Sequence, residues 1–341
     1  MFEMMLSDRT GHKTQVYINA EGNIEICMHH FDGETTKSEF DPISMTAAKE
    51  VPLGRKSECN FTKLQSGKYA DLVHREWTQE ELTGRKSFGG HYTFIISDDA
   101  KEWKHIPITE EVGSYYTFNN RILQLEDSRI IVPFCYEPFE FVEEGCEKGG
   151  WVGTFYSDDE GETWQRSEWV EGKNCHNHMA EPICVDLGGG RIKMFSRTAD
   201  GYMFECESHD RGEVWGEERA TSLRMPCSPF VIKRDPYSGY IFVLWNKSFP
   251  GPTYQYTRSP FCMAVSRDET ETWEFVCEIE NDPFCIYGYP SILFMERDIL
   301  ISYDIVKGSR FFDKTCMYPK LKIYERSELT VRKEYRVPLF E

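Results

Sequence analysis

The sequence predicts an all-β protein built as one six-bladed β-propeller over residues 1–341. An octapeptide of the pattern Ser-x-Asp-x-Gly-x-Thr-Trp recurs, with copies that begin at Ser97, Ser157, Ser208 and Ser266. The starts lie 60, 51 and 58 residues apart. A repeat period in this range is typical of propeller blades, and it divides the chain into about six units.

Each octapeptide is predicted to form a tight hairpin connection. The copy at 157–164 is complete, those at 208–215 and 266–273 each carry one substitution, and the copy at 97–103 is shorter. The Asp carboxylate and the Ser or Thr hydroxyl can bond to backbone N–H groups of the turn. Gly supplies a positive φ, and Trp is expected to pack beneath the turn.

Short segments rich in β-branched and aromatic residues lie between these hairpins and are predicted to be strands. One helical turn is predicted over 77–83, and no long amphipathic helix is expected. The predicted strands are 15–18, 24–28, 92–96, 129–134, 151–155, 192–195, 202–206, 240–244, 261–265 and 298–303.

A second repeat predicts the hairpin between the first two strands of a blade. Its pattern is Leu-x-x-Gly-Arg before an apolar segment, with the octapeptide following later in the same blade. Residues 1–45 are expected to supply the remaining blade, with 335–340 as a strand that closes it. The copies of the second repeat lie at 64–68, 125–129, 187–191 and 294–298, with a looser version at 237–240.

The composition excludes several classes of partner. The net charge of −18 without a basic stripe argues against nucleic acid and anionic membranes. No apolar run is long enough for a membrane span, and residues 1–20 lack the features of a secretory signal. Twelve cysteines without paired spacing favour reduced thiols and a cytoplasmic location.

No cofactor or metal is expected, although one segment admits a metal interpretation. His176 and His178 are two residues apart, so on a strand they share a face and could supply two ligands. No further ligand cluster lies near them in the sequence. A structural or substrate-contacting role is the favoured interpretation.

The octapeptides and the tract from Glu181 to Arg197 together resemble the sialidase superfamily, in which the octapeptide is called an Asp box. Within it, the chain is most similar to bacterial sialidase-like proteins with BNR repeats. The resemblance runs from about residue 55 to 305 and implies a six-bladed propeller with Asp-box hairpins. Its supporting segments are 55–58, 115–120, 226–229, 244–246, 258–260 and 289–291.

The resemblance implies an active site with three arginines, a tyrosine that a glutamate assists, and an aspartate that acts as acid and base. A sialoside carries a carboxylate on its anomeric carbon, and guanidinium groups bind carboxylates bidentately. A neutral tyrosine nucleophile avoids the repulsion that a carboxylate nucleophile would meet.

Five residues match the family's order along the chain. Arg197 follows Glu181 by 16 residues, and Arg258 lies eight residues before an Asp box. Tyr289, 31 residues after Arg258, is where the resemblance places the nucleophile, with Glu181 as its partner. Arg55 is the candidate for the first arginine, although it lacks the family's Arg-Ile-Pro context.

The acid/base is the departure from the family's pattern, because residues 87–92 contain no carboxylate. His91 is the candidate proton donor, since its intrinsic pKa suits the task. Asn120 is expected to offer polar contacts to a sugar. The carboxylates of the preceding loop that could substitute are Asp71, Glu76 and Glu80.

These observations predict a glycoside hydrolase of sialidase type that acts on a small glycoside of a sialic-acid-like or other acidic sugar. One alternative is a polysaccharide lyase, in which an arginine neutralises a uronate while His91 or His176 acts with Tyr289. The other is a catalytically silent propeller that binds a glycan or a protein. The missing aspartate favours the silent propeller, whereas the arginine, tyrosine and glutamate set favours the hydrolase.

Overall fold

The computed structural model describes residues 1–87, 89–139, 150–175, 179–247, 258–307 and 316–329, and they are almost entirely β-structure. The strands of the first half are β1 Phe2–Met5, β2 Gly11–Ile18, β3 Ile24–His30, β4 Thr35–Asp41, β5 Thr46–Ala47, β6 Val51–Pro52, β7 Thr62–Lys63, β8 Tyr69–Glu76, β9 Gly90–Ser97, β10 Lys104–Pro107, β11 Ser114–Tyr116, β12 Leu123–Gln124 and β13 Ile130–Glu137. Those of the second half are β14 Trp151–Ser157, β15 Gln165–Arg166, β16 Ala180–Gly188, β17 Arg191–Arg197, β18 Tyr202–Ser208, β19 Arg219–Arg224, β20 Val231–Arg234, β21 Ile241–Asn246, β22 Phe261–Ser266, β23 Glu274–Glu280, β24 Ile286–Phe294, β25 Asp298–Val306 and β26 Met317–Glu325.

The strands form six antiparallel sheets, and the predicted fold class of a six-bladed β-propeller is confirmed. Blade 1 is β2 to β6, blade 2 is β7 to β10, and blade 3 is β11 to β15. Blade 4 is β16 to β19, blade 5 is β20 to β23, and blade 6 is β24 to β26 with β1. Within the described ranges, all ten predicted strands lie in these sheets.

Two compact units divide the chain by their internal contacts. Unit 1 is Met1–Arg55 with Ser222–Glu341, and it contains blades 1, 5 and 6. Unit 2 is Lys56–Thr221, and it contains blades 2 and 3 and most of blade 4. A single domain over the whole chain stays a prediction.

The predicted helical turn is confirmed as α1, Gln79–Leu82. Thr78 caps it, since its hydroxyl accepts from the Glu81 backbone N–H while the Glu81 side chain accepts from the Thr78 N–H. This reciprocal pair is a capping box, which satisfies two backbone donors at the start of a helix. A second, 3-10 turn covers Arg326–Leu329.

Blade 6 is completed by the N-terminal strand. In it, β1 pairs with β26 in antiparallel register, with Phe2 opposite Ile323. Blade 1 is formed by the chain from Gly11 to Pro52, close to the range predicted for it. The predicted closing strand at 335–340 lies outside the described residues.

The hairpins between first and second strands follow the second repeat. Leu64 N–H donates to the Lys68 carbonyl at 2.8 Å, and Leu125 N–H donates to the Arg129 carbonyl at 2.9 Å. Gly67 and Ser128 occupy the corresponding left-handed positions at φ 94° and 76°. The two turns therefore share one backbone conformation, as the repeat predicts.

The Asp boxes connect the third and fourth strands of blades 2 to 5, and their hydrogen bonds are those that the sequence predicts. In the complete copy, Ser157 Oγ accepts from Gly161 N–H at 2.8 Å and donates to Asp159 Oδ1 at 2.8 Å. Asp159 accepts from the Thr163 N–H at 2.8 Å and from its hydroxyl at 2.6 Å. One carboxylate thereby satisfies several polar groups of the turn.

Packing beneath the turn requires the glycine of the box. Gly161 has φ 88°, and a Cβ placed on it would lie 2.4 Å from the Phe94 ring. The Trp164 ring packs edge-on against the same Phe94 ring, with centroids 5.2 Å apart. The hairpin of blade 3 is therefore fixed to the core of blade 2 by aromatic contact.

Ion pairs connect neighbouring hairpins of unit 2. The Arg129 guanidinium is 2% exposed, bonds both oxygens of Asp158 at 2.6 and 2.7 Å, and reaches Glu213 at 2.8 Å. It also lies over the Tyr156 ring at 4.4 Å. Asp158 and Glu213 belong to successive Asp boxes, so variable box positions help to hold blades 3 and 4 together.

The box of blade 5 has threonine where the glycine belongs, which leads to a stability prediction. Thr270 has φ 72°, a left-handed conformation that is unfavourable for a β-branched residue. Its hydroxyl is buried and finds no hydrogen-bond partner among the described residues. Thr270→Gly is expected to raise the free energy of unfolding by about 1 kcal/mol, because relieved strain exceeds the backbone entropy of glycine.

The midpoint of urea unfolding measures this change, and Gly161→Thr is the reciprocal control. We expect Gly161→Thr to lower the midpoint, since its Cβ would meet the Phe94 ring at 2.4 Å. An unchanged or lower midpoint for Thr270→Gly would contradict the assigned strain.

Candidate active site

Five blades share a left-handed residue in the segment that leads into or forms their first strand. A non-glycine residue in this conformation costs about 1–3 kcal/mol and persists only where the surroundings impose it. Three of the five were predicted site residues: Asn120, Glu181 and Tyr289. The five residues are Lys13 at φ 65°, Cys59 at 58°, Asn120 at 59°, Glu181 at 50° and Tyr289 at 48°.

Register shifts accompany this conformation. The β16–β17 ladder is interrupted between Ala180 and Ile183, and the β24–β25 ladder between Gly288 and Ser291. Such bulges redirect a side chain out of the ladder and are frequent beside active sites. Glu181 and Tyr289 are each followed by proline, which has no N–H to pair at the interruption.

Glu181 forms an ion pair with Arg197 in blade 4. Arg197 Nη1 lies 2.9 Å from Glu181 Oε1, and the two side chains are 15% and 1% exposed. Ala180 is opposite Arg197 in the β16–β17 register, so the bulge brings the next residue, Glu181, beside the guanidinium. The predicted order of glutamate and arginine in the sequence thus becomes a direct contact.

Arg121 holds this bulge from the neighbouring blade. It is 2% exposed, and its Nη2 donates to the Glu181 carbonyl at 3.3 Å while Nη1 donates to the Asn119 carbonyl at 2.6 Å. Its backbone N–H donates to Asn60 Oδ1. Asn120 is the predicted site residue of this run, whereas the contact that positions the bulge comes from Arg121.

Asn120 lies between β11 and β12, where its N–H donates to the Cys59 carbonyl at 3.1 Å. This bond links two left-handed residues of adjacent blades in unit 2. The side chain is half-buried at the left-handed position. Its predicted sugar contact stays a prediction.

Glu137 is a carboxylate that was not among the predicted site residues. The Tyr116 hydroxyl donates to Glu137 Oε1 at 2.8 Å. Burial raises the pKa of Glu137, while the Tyr116 hydrogen bond and the Arg197 charge act in the opposite direction. Glu137 ends β13 as Arg197 ends β17, so the blade repeat is the signal that would have found it.

His91 lies on β9, opposite Arg75 on β8. Its ring meets the Trp77 ring edge-on at 5.4 Å, and its Nδ1 lies 3.3 Å from the Thr93 hydroxyl. Burial, with the Arg75 charge, lowers the pKa of His91. These contacts favour a neutral, packed histidine over a proton donor at neutral pH.

The alternative carboxylates of blade 2 differ in environment. Asp71 is fully buried and accepts from the Ser57 hydroxyl at 2.7 Å and the Asn60 N–H at 3.0 Å, so it supports the turn before β7. Glu76 and Glu80 are exposed at the end of β8 and in α1. Asp71 is thus committed to backbone support.

Tyr289 lies beside an aromatic group from blade 1. Its side chain is buried, and the His12 ring meets it edge-on with centroids 5.3 Å apart. His12 is stacked on Phe31 at 5.0 Å and meets His29 at 5.8 Å. The nucleophile candidate is therefore held by packing on one side.

Arg258 lies beside Gly288, the residue that precedes Tyr289. A Cβ on Gly288 would lie 3.4 Å from Arg258 Nη1, so the absence of a side chain leaves space for the guanidinium. Arg258 Nη2 donates to the Cys227 carbonyl at 3.4 Å. Asn246 Nδ2 donates to the Arg258 carbonyl at 2.7 Å and fixes the backbone from β21.

Arg55 lies near the β2–β3 hairpin of blade 1. Its charge acts on Tyr17, whose pKa is raised mainly by burial. The Tyr17 hydroxyl donates to Glu25 Oε2 at 2.7 Å. The predicted role of Arg55 as first arginine stays a prediction.

The described residues contain no cluster of three His, Cys, Asp or Glu side chains arranged to hold a metal ion. His176 and His178, the predicted metal alternative, lie outside the described residues. Within the described ranges, none of the helices combines the length and apolar character that crossing a bilayer requires.

A family model described as a BNR repeat-like domain matches residues 84–301. The chain belongs to this family. The match contains all four Asp boxes and also Tyr289. The predicted resemblance to BNR-repeat, sialidase-like proteins is therefore confirmed. No curated protein matches the chain.

Solved structures show that this BNR repeat-like chain has a sialidase-like fold. The Hadza microbial sialidase Hz136 aligns with a TM-score of 0.67 at 13% identity, over 94% of this chain and 66% of that one. Trypanosoma rangeli sialidase in complex with the inhibitor DANA aligns with a TM-score of 0.65 at 14% identity, over 96% and 57%. The chain thus spans about two thirds or less of these sialidases.

A protein of unknown function from Dyadobacter fermentans matches in length as well as in fold. The TM-score is 0.65 at 13% identity, and the alignment covers 95% of this chain and 99% of that one. At such identities the likeness shows the fold, and the chemistry depends on the site residues of this BNR repeat-like protein.

The buried pair in blade 4 leads to a prediction. Glu181→Gln removes the counter-charge of Arg197, and the free energy of unfolding is expected to fall by about 3 kcal/mol. Glu207→Gln is the matched control, because Glu207 pairs with Arg191 at 2.7 Å where both are more exposed. That pair is expected to contribute less than about 1 kcal/mol. If urea unfolding showed the same loss of free energy for both variants, the larger contribution expected of the buried Glu181–Arg197 pair would be contradicted.

Proposed function

We propose that this BNR repeat-like protein is a glycoside hydrolase of sialidase type, acting on a small glycoside of a sialic-acid-like or other acidic sugar. One observation carries the proposal. The two residues that the resemblance assigns to nucleophilic catalysis, Glu181 and Tyr289, both occupy the left-handed bulge of their blades. Arg197 pairs with Glu181, and Arg258 lies beside Gly288, the residue before Tyr289.

The residue types suit an anionic sugar. Arg55, Arg197 and Arg258 are assigned to the carboxylate of the substrate, since guanidinium groups bind carboxylates with paired hydrogen bonds. The net charge of −18 repels anions at long range, so affinity must come from these local cations. Sialidase relatives whose structures contain an inhibitor, such as the DANA complex from Trypanosoma rangeli, support this substrate class.

The proposed reaction follows the retaining course. The Tyr289 oxygen forms a bond to the anomeric carbon as the bond to the leaving oxygen breaks, and its proton passes to the carboxylate to which the resemblance assigns this role, Glu181. Water then attacks the anomeric carbon, and the Tyr289 oxygen leaves and recovers a proton. A neutral phenol lets an anionic sugar approach where a carboxylate nucleophile would repel it.

A catalytically silent, glycan-binding propeller is the second candidate, and one observation favours it. Of the predicted proton-donor candidates, Asp71 accepts from the Ser57 hydroxyl and the Asn60 N–H, and His91 has a lowered pKa. Binding without turnover is the expected behaviour of such a protein.

We also propose a cytoplasmic location, on the basis of twelve cysteines without paired spacing. Cys262 supports it as a buried thiol whose pKa is raised by burial to about 12, which keeps the thiol protonated and unreactive. Cell fractionation tests the location.

Turnover is tested by release of 4-methylumbelliferone from its α-sialoside. Tyr289→Phe is expected to abolish turnover and to leave sugar binding largely intact, because it removes one hydroxyl from a packed ring. Tyr237→Phe is the matched control, since Tyr237 is 57% exposed. Unchanged turnover in Tyr289→Phe would exclude tyrosine catalysis, and an inert wild type that binds the sugar would favour the silent propeller.

Binding is tested by calorimetry with a free acidic sugar. Arg258→Ala is expected to weaken binding by about 1.5–3 kcal/mol, the contribution of a hydrogen bond to a charged group. Arg191→Ala is the control, because Arg191 is exposed and bonds Glu207. Equal affinity of wild type and Arg258→Ala would remove Arg258 from the site.

A further inference from the structure

We infer that Glu137 is the general acid of the proposed hydrolysis and donates a proton to the leaving oxygen of the glycoside. The inference rests on the proposed function, which requires a proton donor that the family's pattern does not supply in this chain. It assigns that task to a blade 3 residue, not to the blade 2 region where the family places its aspartate.

Glu137 has the same place in its blade as Arg197. Each residue ends the second strand of its sheet, β13 or β17, in adjacent blades of unit 2. The two sheets contact each other at this end, where Gly150 bridges Met179 and Cys135 Sγ donates to the Met179 carbonyl at 3.5 Å. Glu137 is therefore presented at the same end of the blades as the arginine assigned to the substrate.

The carboxyl group is held in one orientation. Tyr116, on β11, donates its hydroxyl to Glu137 Oε1 at 2.8 Å. This bond engages Oε1, and the transferred proton is assigned to Oε2. Glu137 is half-buried, which allows contact with a bound glycoside.

The titratable and charged groups around Glu137 come from three strands. They are Tyr116 on β11, Cys135 on β13 and Arg197 on β17, while Glu181 on β16 acts on Cys135. Burial is the main influence and raises the pKa of Glu137, so the acid form persists to higher pH than for an exposed glutamate. Tyr116 and Arg197 lower the same pKa, which leaves the group able to lose its proton during reaction.

The proton balance closes over the two steps. In the first, Glu137 gives its proton to the leaving oxygen as the sugar transfers to Tyr289 and the phenol proton passes to Glu181. In the second, water attacks the anomeric carbon, its proton returns to Glu137, and Tyr289 recovers the proton from Glu181. Each carboxyl group ends in its starting state.

Glu137→Gln tests the inference with two glycosides that differ in leaving group. Methyl α-sialoside has a poor leaving group that needs protonation, and 4-methylumbelliferyl α-sialoside has a good one that does not. We expect kcat/KM to fall about 100- to 10,000-fold for the methyl glycoside and less than about 10-fold for the aryl glycoside. A purely structural role would lower both equally.

The pH profile supplies a second readout. A general acid must be protonated, so kcat/KM should fall as pH rises through the pKa of Glu137, and Glu137→Gln should lose this alkaline limb. Tyr116→Phe removes a hydrogen bond that lowers this pKa. The alkaline limb of Tyr116→Phe is therefore expected to move to higher pH. This variant keeps the carboxyl group, so it tests the inference even if Glu137→Gln fails to fold.

Glu102→Gln is the matched control, because Glu102 is exposed at the end of an Asp box. Equal losses on the two glycosides, or an unmoved alkaline limb in Tyr116→Phe, would overturn the role of Glu137. Selective loss on the methyl glycoside in His91→Gln instead would assign the proton to His91 and overturn it too. A wild type that cleaves neither glycoside excludes sialoside hydrolysis, and the role of Glu137 in that reaction is overturned with it.

Discussion

The left-handed residue in the first strand of a blade is the constraint on which the candidate site depends. In a regular antiparallel ladder, successive side chains point to opposite faces of the sheet. No side chain then points past the end of the strand. A left-handed residue with a register shift breaks that alternation at one position. Glu181 and Tyr289 occupy such positions, and the cost of about 1–3 kcal/mol for each must be offset by the packing around it.

Contacts with neighbouring residues offset this cost in both units. Arg121 bonds the carbonyl of Glu181 from the neighbouring blade, and Arg197 neutralises the carboxylate. In unit 1, His12 packs on Tyr289, and Gly288 leaves space for Arg258. The strained residues are thus held by neighbours that are themselves fixed, which is how a preorganised site avoids reorganisation during reaction.

Local and global electrostatics act in opposite directions in this protein. A net charge of −18 repels an anionic substrate at long range. Locally, buried arginines lie next to carboxylates, so groups of opposite charge are only a few ångströms apart. The raised pKa of Glu137 and the lowered pKa of His91 follow from burial in such surroundings. The residue type alone therefore does not determine which side chain can donate a proton. The surroundings of the side chain decide it, because they shift its pKa.

The fold and the hairpins could be predicted from the sequence, because Asp boxes and first-hairpin repeats are local patterns whose hydrogen bonds close within a few residues. The pairings of Glu181 with Arg197 and of Arg258 with the Tyr289 bulge were also within reach of sequence order. The role of Arg121 and the pairing of Tyr116 with Glu137 could not be predicted from sequence order, because these contacts join residues of different strands or blades. Only the tertiary structure decided them, since burial and cross-strand distance set their contacts and also the pKa values of Tyr116 and Glu137.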